Sequence, residues 1–155
     1  MRRTLRRLSL LTLVTAAACN GGNTFVPELT SRDPARQKEV WDRENILSYD
    51  YTYTRQCECL PLGEVRVSVR GGNVYDVVST TTGQQLPHDR WNEIPTVNQL
   101  FAELIAAYQS GEEFQAMYDR RLRYPAAAVI GDVAVDAGTA HYITELERYE
   151  GPWFP

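Results

Sequence analysis

Residues 49–78 read YDYTYTRQCECLPLGEVRVSVRGGNVYDVV. Tyr49, Tyr51 and Tyr53 alternate with Asp50, Thr52 and Thr54, the period of two that marks a strand with one face against a core and the other toward water. After Cys57-Glu58-Cys59-Leu60-Pro61-Leu62-Gly63 the alternation resumes in Val65, Val67 and Val69, and an apolar run from Val74 to Val78 follows Gly71-Gly72-Asn73. Two such strands around glycines that accept positive φ make a β-hairpin. With Gly71-Gly72 as the turn, Val69 faces Val74 but Val67 faces Asp76. A β-bulge would shift that register, and the residues leave both arrangements open.

On the N-terminal side, Asp33-Pro34 opens a helix, with Asp as N-cap and Pro at the first helical position, and the helix is expected to run to about Leu47 with a thin apolar face of Val40, Trp41, Ile46 and Leu47. On the C-terminal side, residues 80–95 form a long loop carrying His88, Asp89, Arg90 and Trp91. A second helix then spans Thr96 to Gly111. Thr96 and Gln99 have capping-box spacing, Val97, Leu100, Phe101, Leu104, Ile105 and Tyr108 fall on one face, and Gly111 is the stop. A short strand near Gln115–Tyr118, another over Ala126–Val135, a turn at Asp136-Ala137-Gly138 and a last strand from Ala140 to about Arg148 complete the chain. The reading is one α+β domain over residues 34–155: an antiparallel sheet of about six strands with two helices packed on one face, in the order αβββαβββ.

The N-terminus has a separate logic. Arg2, Arg3, Arg6 and Arg7 precede the apolar stretch from Leu8 to Ala18, which is the charged and hydrophobic pair of an export signal. That stretch is too short for the roughly 20 helical residues that cross a bilayer core. Ala16-Ala17-Ala18 stand directly before Cys19, which resembles a bacterial lipobox, although Leu is commoner where Ala16 stands. The resemblance implies a signal peptide over residues 1–18, cleavage before Cys19, and lipid on that cysteine. Residues 19–33 then form a lipidated flexible tether rich in Gly, Asn and Thr. Losing the four arginines takes the formal charge from −4 to −8. An acidic chain repels phosphate backbones, so nucleic acid is excluded as a partner. The expected location is the cell envelope, on its periplasmic or outer-surface side, with the membrane as a partner through the lipid anchor and inner and outer membrane both open.

Trp41, Tyr51-x-Tyr53, Cys57-x-Cys59, Val67-x-Val69 leading into Gly72-Asn73, Tyr118-Asp119 and Tyr124-Pro125, together with the lipobox, resemble an uncharacterised family of small bacterial lipoproteins, the domain of unknown function numbered six thousand one hundred seventy-four. The resemblance covers nearly all of the mature domain. It implies a fold and an envelope location and no activity. The family pattern has Gly before the Tyr-Pro pair, where this chain has Arg123, and that difference bears on the shape of the turn.

With Cys19 acylated, Cys57 and Cys59 remain in an oxidising compartment, where an even count favours a disulfide. Loop entropy for so short a ring contributes only about 1.5 kcal/mol before strain. Three readings stay open: a modest structural disulfide at a strand end, a labile redox-active pair, and a metal site. The last would need two more ligands, and His88 and His141 offer no recognisable spacing. His88 beside Asp89 has the form of an oriented imidazole but reads better as a solvated loop pair, and His141 as a surface or edge position. No nucleophile elbow, zinc-protease helix or phosphate loop occurs, so no catalytic constellation and no cofactor is implied. Tyr49, Tyr51, Tyr53, His88 and Trp91 are the candidate binding surface, with core residues the blander reading of the tyrosines. The functional expectation is a non-enzymatic envelope lipoprotein that binds a protein or other envelope component. The alternative is a thiol-based redox or metal-handling lipoprotein centred on Cys57 and Cys59.

Overall fold

The computed structural model describes residue 30 and residues 32–131 and 138–151. Its sheet is built from β1 (Tyr49–Gln56), β2 (Val65–Arg70), β3 (Asn73–Ser79), β4 (Phe114–Tyr118), β5 (Pro125–Ile130) and β6 (Thr139–Arg148). Helix α1 (Pro34–Arg43) precedes β1, and α2 (Val97–Ser110) separates β3 from β4. All pairings are antiparallel and the strands lie in the order β3-β2-β1-β6-β5-β4. Each half is thus a three-stranded meander, and the first and last strands meet in the middle. The outer edge of β4 is met by Thr30, whose N–H and C=O exchange hydrogen bonds of 2.8 and 2.9 Å with Ala116. On the outer edge of β3, Leu86 donates to Val77. Such local cover blunts edges that would otherwise template pairing with other chains.

The tyrosine alternation sets the core. Tyr49, Tyr51 and Tyr53 pair across β1 and β2 with Val69, Val67 and Val65, and all six side chains are buried. A bulge in the β2–β3 ladder moves Val67 opposite Val77 while Val69 stays opposite Val74. Val77 therefore enters the core and Tyr75 is turned out, 60% exposed. This resolves the conflict between the glycine turn and the valine pattern: one extra residue in β3 restores apolar pairing on the buried face.

Helix α1 stops four residues short of the expected Leu47. Asn45 adopts φ 48°, a left-handed conformation that Asn tolerates better than most residues, and its N–H bonds to the Asp42 carbonyl. The chain then reverses, burying Ile46 and leaving Leu47 exposed. Trp41 carries the helix onto the sheet, with its ring edge-on to Tyr49 at 5.6 Å and its indole N–H donating to Asn98 of α2. Helix α2 begins with the capping box: the Thr96 hydroxyl accepts from Gln99 N–H, and the Gln99 amide oxygen accepts from Thr96 N–H. It buries Val97, Leu100, Phe101, Leu104 and Ala107, with Tyr108 half-exposed, and ends at Gly111 in the left-handed region. Among the described residues no helix is long and apolar enough to cross a membrane.

Candidate functional site

The hydroxyls of the three β1 tyrosines are each engaged. Tyr51 donates to the Pro95 carbonyl at 2.7 Å, and Tyr49 accepts from the Val97 N–H at 3.0 Å, so two phenols bracket the start of α2. Burial pushes the Tyr49 hydroxyl up to about 12 and that of Tyr51 well above its ordinary value. With exposures of 2, 0 and 0%, Tyr49, Tyr51 and Tyr53 are core residues. The expectation that they form part of a binding surface is corrected: their side chains are buried, with the Trp41 ring edge-on to Tyr49 and the Tyr49 and Tyr51 hydroxyls bonded at Val97 and Pro95. Of the other two candidates, His88 is exposed and Trp91 is half-buried against the same core cluster. Those two lie in a short 3-10 helix, His88–Glu93, where the exposed imidazole stacks on the indole at 3.9 Å and Trp91 donates to the Leu86 carbonyl.

Residues of β1, α2 and β6, with the loop after β1, line an open groove of about 830 Å³. Arg55, Cys57 and Cys59 line it from β1 and the loop beyond, Glu103 from α2, and His141 from β6. On α2 the stripe Gln99, Glu103 and Ala106 makes the wall, at the i, i+4, i+7 spacing that keeps three side chains on one helical face. Arg55 and His141 are register partners on adjacent strands and so project side by side.

Charge in the groove is predominantly acidic. Arg55 is bound by Glu93, 2.7 Å away, and Glu93 is also held by Arg90 at 2.9 Å. These two guanidinium groups, Arg90 first, draw the Glu93 carboxyl down to about 2. His141 is 7% exposed; its Nδ1 meets the Tyr53 hydroxyl at 2.9 Å and its Nε2 lies 3.8 Å from Glu103. Burial, assisted by the Arg55 charge, lowers the imidazole to about 4, so it is neutral at neutral pH. Glu103 is raised by its own partial burial. Glu58 and Glu112 add two more carboxylates to the lining.

Cys57 and Cys59 have Cα atoms 5.3 Å apart, inside the span a disulfide bridges. Cys59 is the more exposed of the two. Among the described residues no cluster of three or more His, Cys, Asp or Glu side chains is placed to hold a metal ion. Cys19, the signal peptide over residues 1–18 and the tether apart from Thr30, Arg32 and Asp33 lie outside the described residues, as does most of the turn expected at residues 136–138.

Three groove residues, Arg55, Glu93 and Glu103, go unmarked in the sequence, and His141, read there as a surface or edge position, is instead buried in the groove wall. For His141 the reason is a second bulge. Glu145 and Leu146 together stand opposite the single residue Tyr51, with Glu145 at φ 52°, and this inverts the inside-outside pattern along β6. His141 and Ile143 therefore point to the core, whereas an unbroken alternation groups His141 with Glu145 and Glu147 on a wet face. The signal that could have found it was Ile143, apolar and of the same parity.

An α+β scaffold of one antiparallel sheet, carrying an acid-lined groove beside a cysteine pair, is thus the class that fold and site define. The chain belongs to the family of unknown function DUF6174, whose pattern matches residues 33–148. No curated protein and no solved structure matches the chain.

Proposed function

We propose that the protein is a lipid-anchored lipoprotein of the cell envelope and a non-enzymatic binding module that receives an envelope component in the groove between α2 and the β1–β6 strands. The groove carries this reading: it is open, polar and large enough for a short peptide segment or small ligand, and its one buried imidazole is neutral and already engaged by Tyr53. The lipobox supports the anchor, with residues 1–18 removed, Cys19 lipidated and residues 19–33 as tether. Held at a membrane, such a module needs little intrinsic affinity, because tethering raises its effective concentration. In the same reading the αβββαβββ order places both helices on the tyrosine face, supported by Trp41 against Tyr49 and by the Tyr51 bond to Pro95.

A photo-crosslinking residue at Ala106, on the groove wall, tests the proposal in intact cells against one at the exposed Tyr75 on β3. A discrete adduct from position 106 that is absent from position 75 and is lost in Glu103→Arg is expected. Equal labelling from both positions, or none from position 106, overturns it. Intact-mass analysis of the membrane-extracted protein checks the anchor, and an unmodified chain beginning at or after Cys19 overturns that part.

A second reading, a thiol-based redox lipoprotein, is favoured by one observation: Cys57 and Cys59 line this same groove. In it the two are joined as a disulfide. Replacing both by serine leaves crosslinking from position 106 intact under the first reading and abolishes function with little loss of stability under the second.

A further inference from the structure

We propose that the Cys57–Cys59 pair, as a disulfide, exchanges with thiols carried on basic segments, the acid-lined groove selecting the charge of the incoming thiol. The inference rests on the second reading above and adds its substrate class. Five charged side chains line the groove: Arg55, Glu58, Glu93, Glu103 and Glu112. Arg55 is taken up by Glu93, and the nearest partner of Glu103 is a neutral imidazole. No ion pair among the described residues engages Glu58 or Glu112. Three carboxylates therefore face the space an incoming group must cross, and Glu58 stands between the two cysteines. A thiolate flanked by carboxylates meets like charge there, whereas one flanked by lysine or arginine meets opposite charge.

Accessibility orders the chemistry. Cys59 is exposed and Cys57 is half-buried, so the thiolate of the partner attacks Sγ of Cys59. The new sulfur–sulfur bond forms as the Cys57–Cys59 bond breaks, and Cys57 leaves as a thiolate that takes a proton from water. A second partner thiolate then attacks the partner's sulfur in the mixed disulfide and releases Cys59, which is protonated in turn. Two partner thiols are oxidised to one disulfide, and the cysteine pair is reduced by the same two electrons. The exposed Leu60, 76% accessible beside Cys59, gives the approaching segment an apolar contact. The loop that carries it is held to the 3-10 helix by Arg90 donating to the Pro61 carbonyl.

The test uses the mature lipoprotein in non-ionic detergent and two pentapeptide thiols, one with the cysteine flanked by lysines and one by glutamates. Mixed-disulfide formation is followed by acid quench and mass spectrometry. Rates are divided by those toward an oxidised heptapeptide of residues 57–63, which keeps Glu58 and the ring but has no groove. At low ionic strength the normalised preference for the basic thiol is expected to be about tenfold, to fall toward one in high salt, and to collapse in the Glu103→Gln, Glu112→Gln double variant. A normalised ratio near one at low salt, with the disulfide present, overturns the selection and leaves the redox pair standing. Two alkylatable thiols in the unreduced protein overturn the disulfide, and with it both the inference and the reading beneath it.

Discussion

The phenol of Tyr53 on β1 and Nδ1 of His141 on β6 lie 2.9 Å apart in the middle of the sheet, and both side chains are buried. Each is the partner of the other in a setting where an unmade hydrogen bond is costly. Replacing Tyr53 by Phe keeps the ring and strands the imidazole nitrogen. The variant is expected to lose about 1–3 kcal/mol of stability, read as a lower urea midpoint at unchanged slope. An unchanged midpoint would show that the pair contributes nothing beyond packing.

The same imidazole makes stability depend on acidity. His141 is surrounded by Tyr53 and Arg55 from β1 and by Glu103 from α2, with Glu93 behind Arg55. Its folded value of about 4 lies below the ordinary 6.5, so between those values the unfolded chain binds the proton first. The contribution is complete above pH 6.5 and is lost as pH falls toward 4, with a slope of at most about 1.4 kcal/mol per pH unit. Glu103 is raised and acts with the opposite sign. In a Glu103→Gln background, urea midpoints measured from pH 7 to pH 4.5 should fall steeply with His141 present and flatten with His141→Asn. A parallel fall in both proteins would assign the loss to other groups.

Where sequence and structure agree, the agreement has a physical cause. Tyr49 to Thr54 and Val65 to Val69 each hold a strict period of two, and strict alternation fixes which face is buried once one face is covered. Thr96, Gln99 and Gly111 are local signals, satisfied within a single helix, and need no tertiary context to be read. The groove is different in kind. Arg55, Glu93, Glu103 and His141 come from four elements and meet only because β1 lies beside β6, a pairing between the ends of the domain that no local pattern announces. The bulge opposite Tyr51 compounds this, since one inserted residue reverses the sidedness of everything before it on β6. The tyrosines show the converse: their pattern reveals the strand, while their burial involves partners distant in sequence, Trp41 beside Tyr49 and the Pro95–Val97 backbone bonded to Tyr51 and Tyr49.

Tyr49 also acts at a distance from its own strand. Its hydroxyl accepts from the Val97 N–H, one of the first-turn donors of α2 that no helical carbonyl can reach. Tyr49→Phe should leave that donor buried and unmatched, at about 1–2 kcal/mol. Amide exchange at Val97 should rise more than at Leu104, deeper in the helix. Uniform acceleration along α2 would instead indicate a global loss and no specific cap.

The turn before Tyr124-Pro125 offers a test in the stabilising direction. Arg123 sits at φ 62°, in a left-handed conformation that costs a residue with a Cβ about 1–2 kcal/mol. The turn holds that conformation by closing on itself: Arg123 N–H donates to the Asp119 carbonyl, Asp119 N–H donates to the Tyr124 carbonyl, and the Asp119 carboxylate accepts from Arg121 and Leu122 N–H. Glycine takes this φ without steric cost but gives up about 0.5–1 kcal/mol in the greater freedom of the unfolded chain. Relief exceeds that loss, so Arg123→Gly should raise the urea midpoint by an amount corresponding to about 0.5–1 kcal/mol. Arg123→Ala relieves nothing, since alanine keeps the Cβ, and should leave the midpoint within about 0.5 kcal/mol of the parent. If alanine stabilised as much as glycine, the gain would have to come from removing the arginine side chain, and backbone conformation would not be what limits this turn.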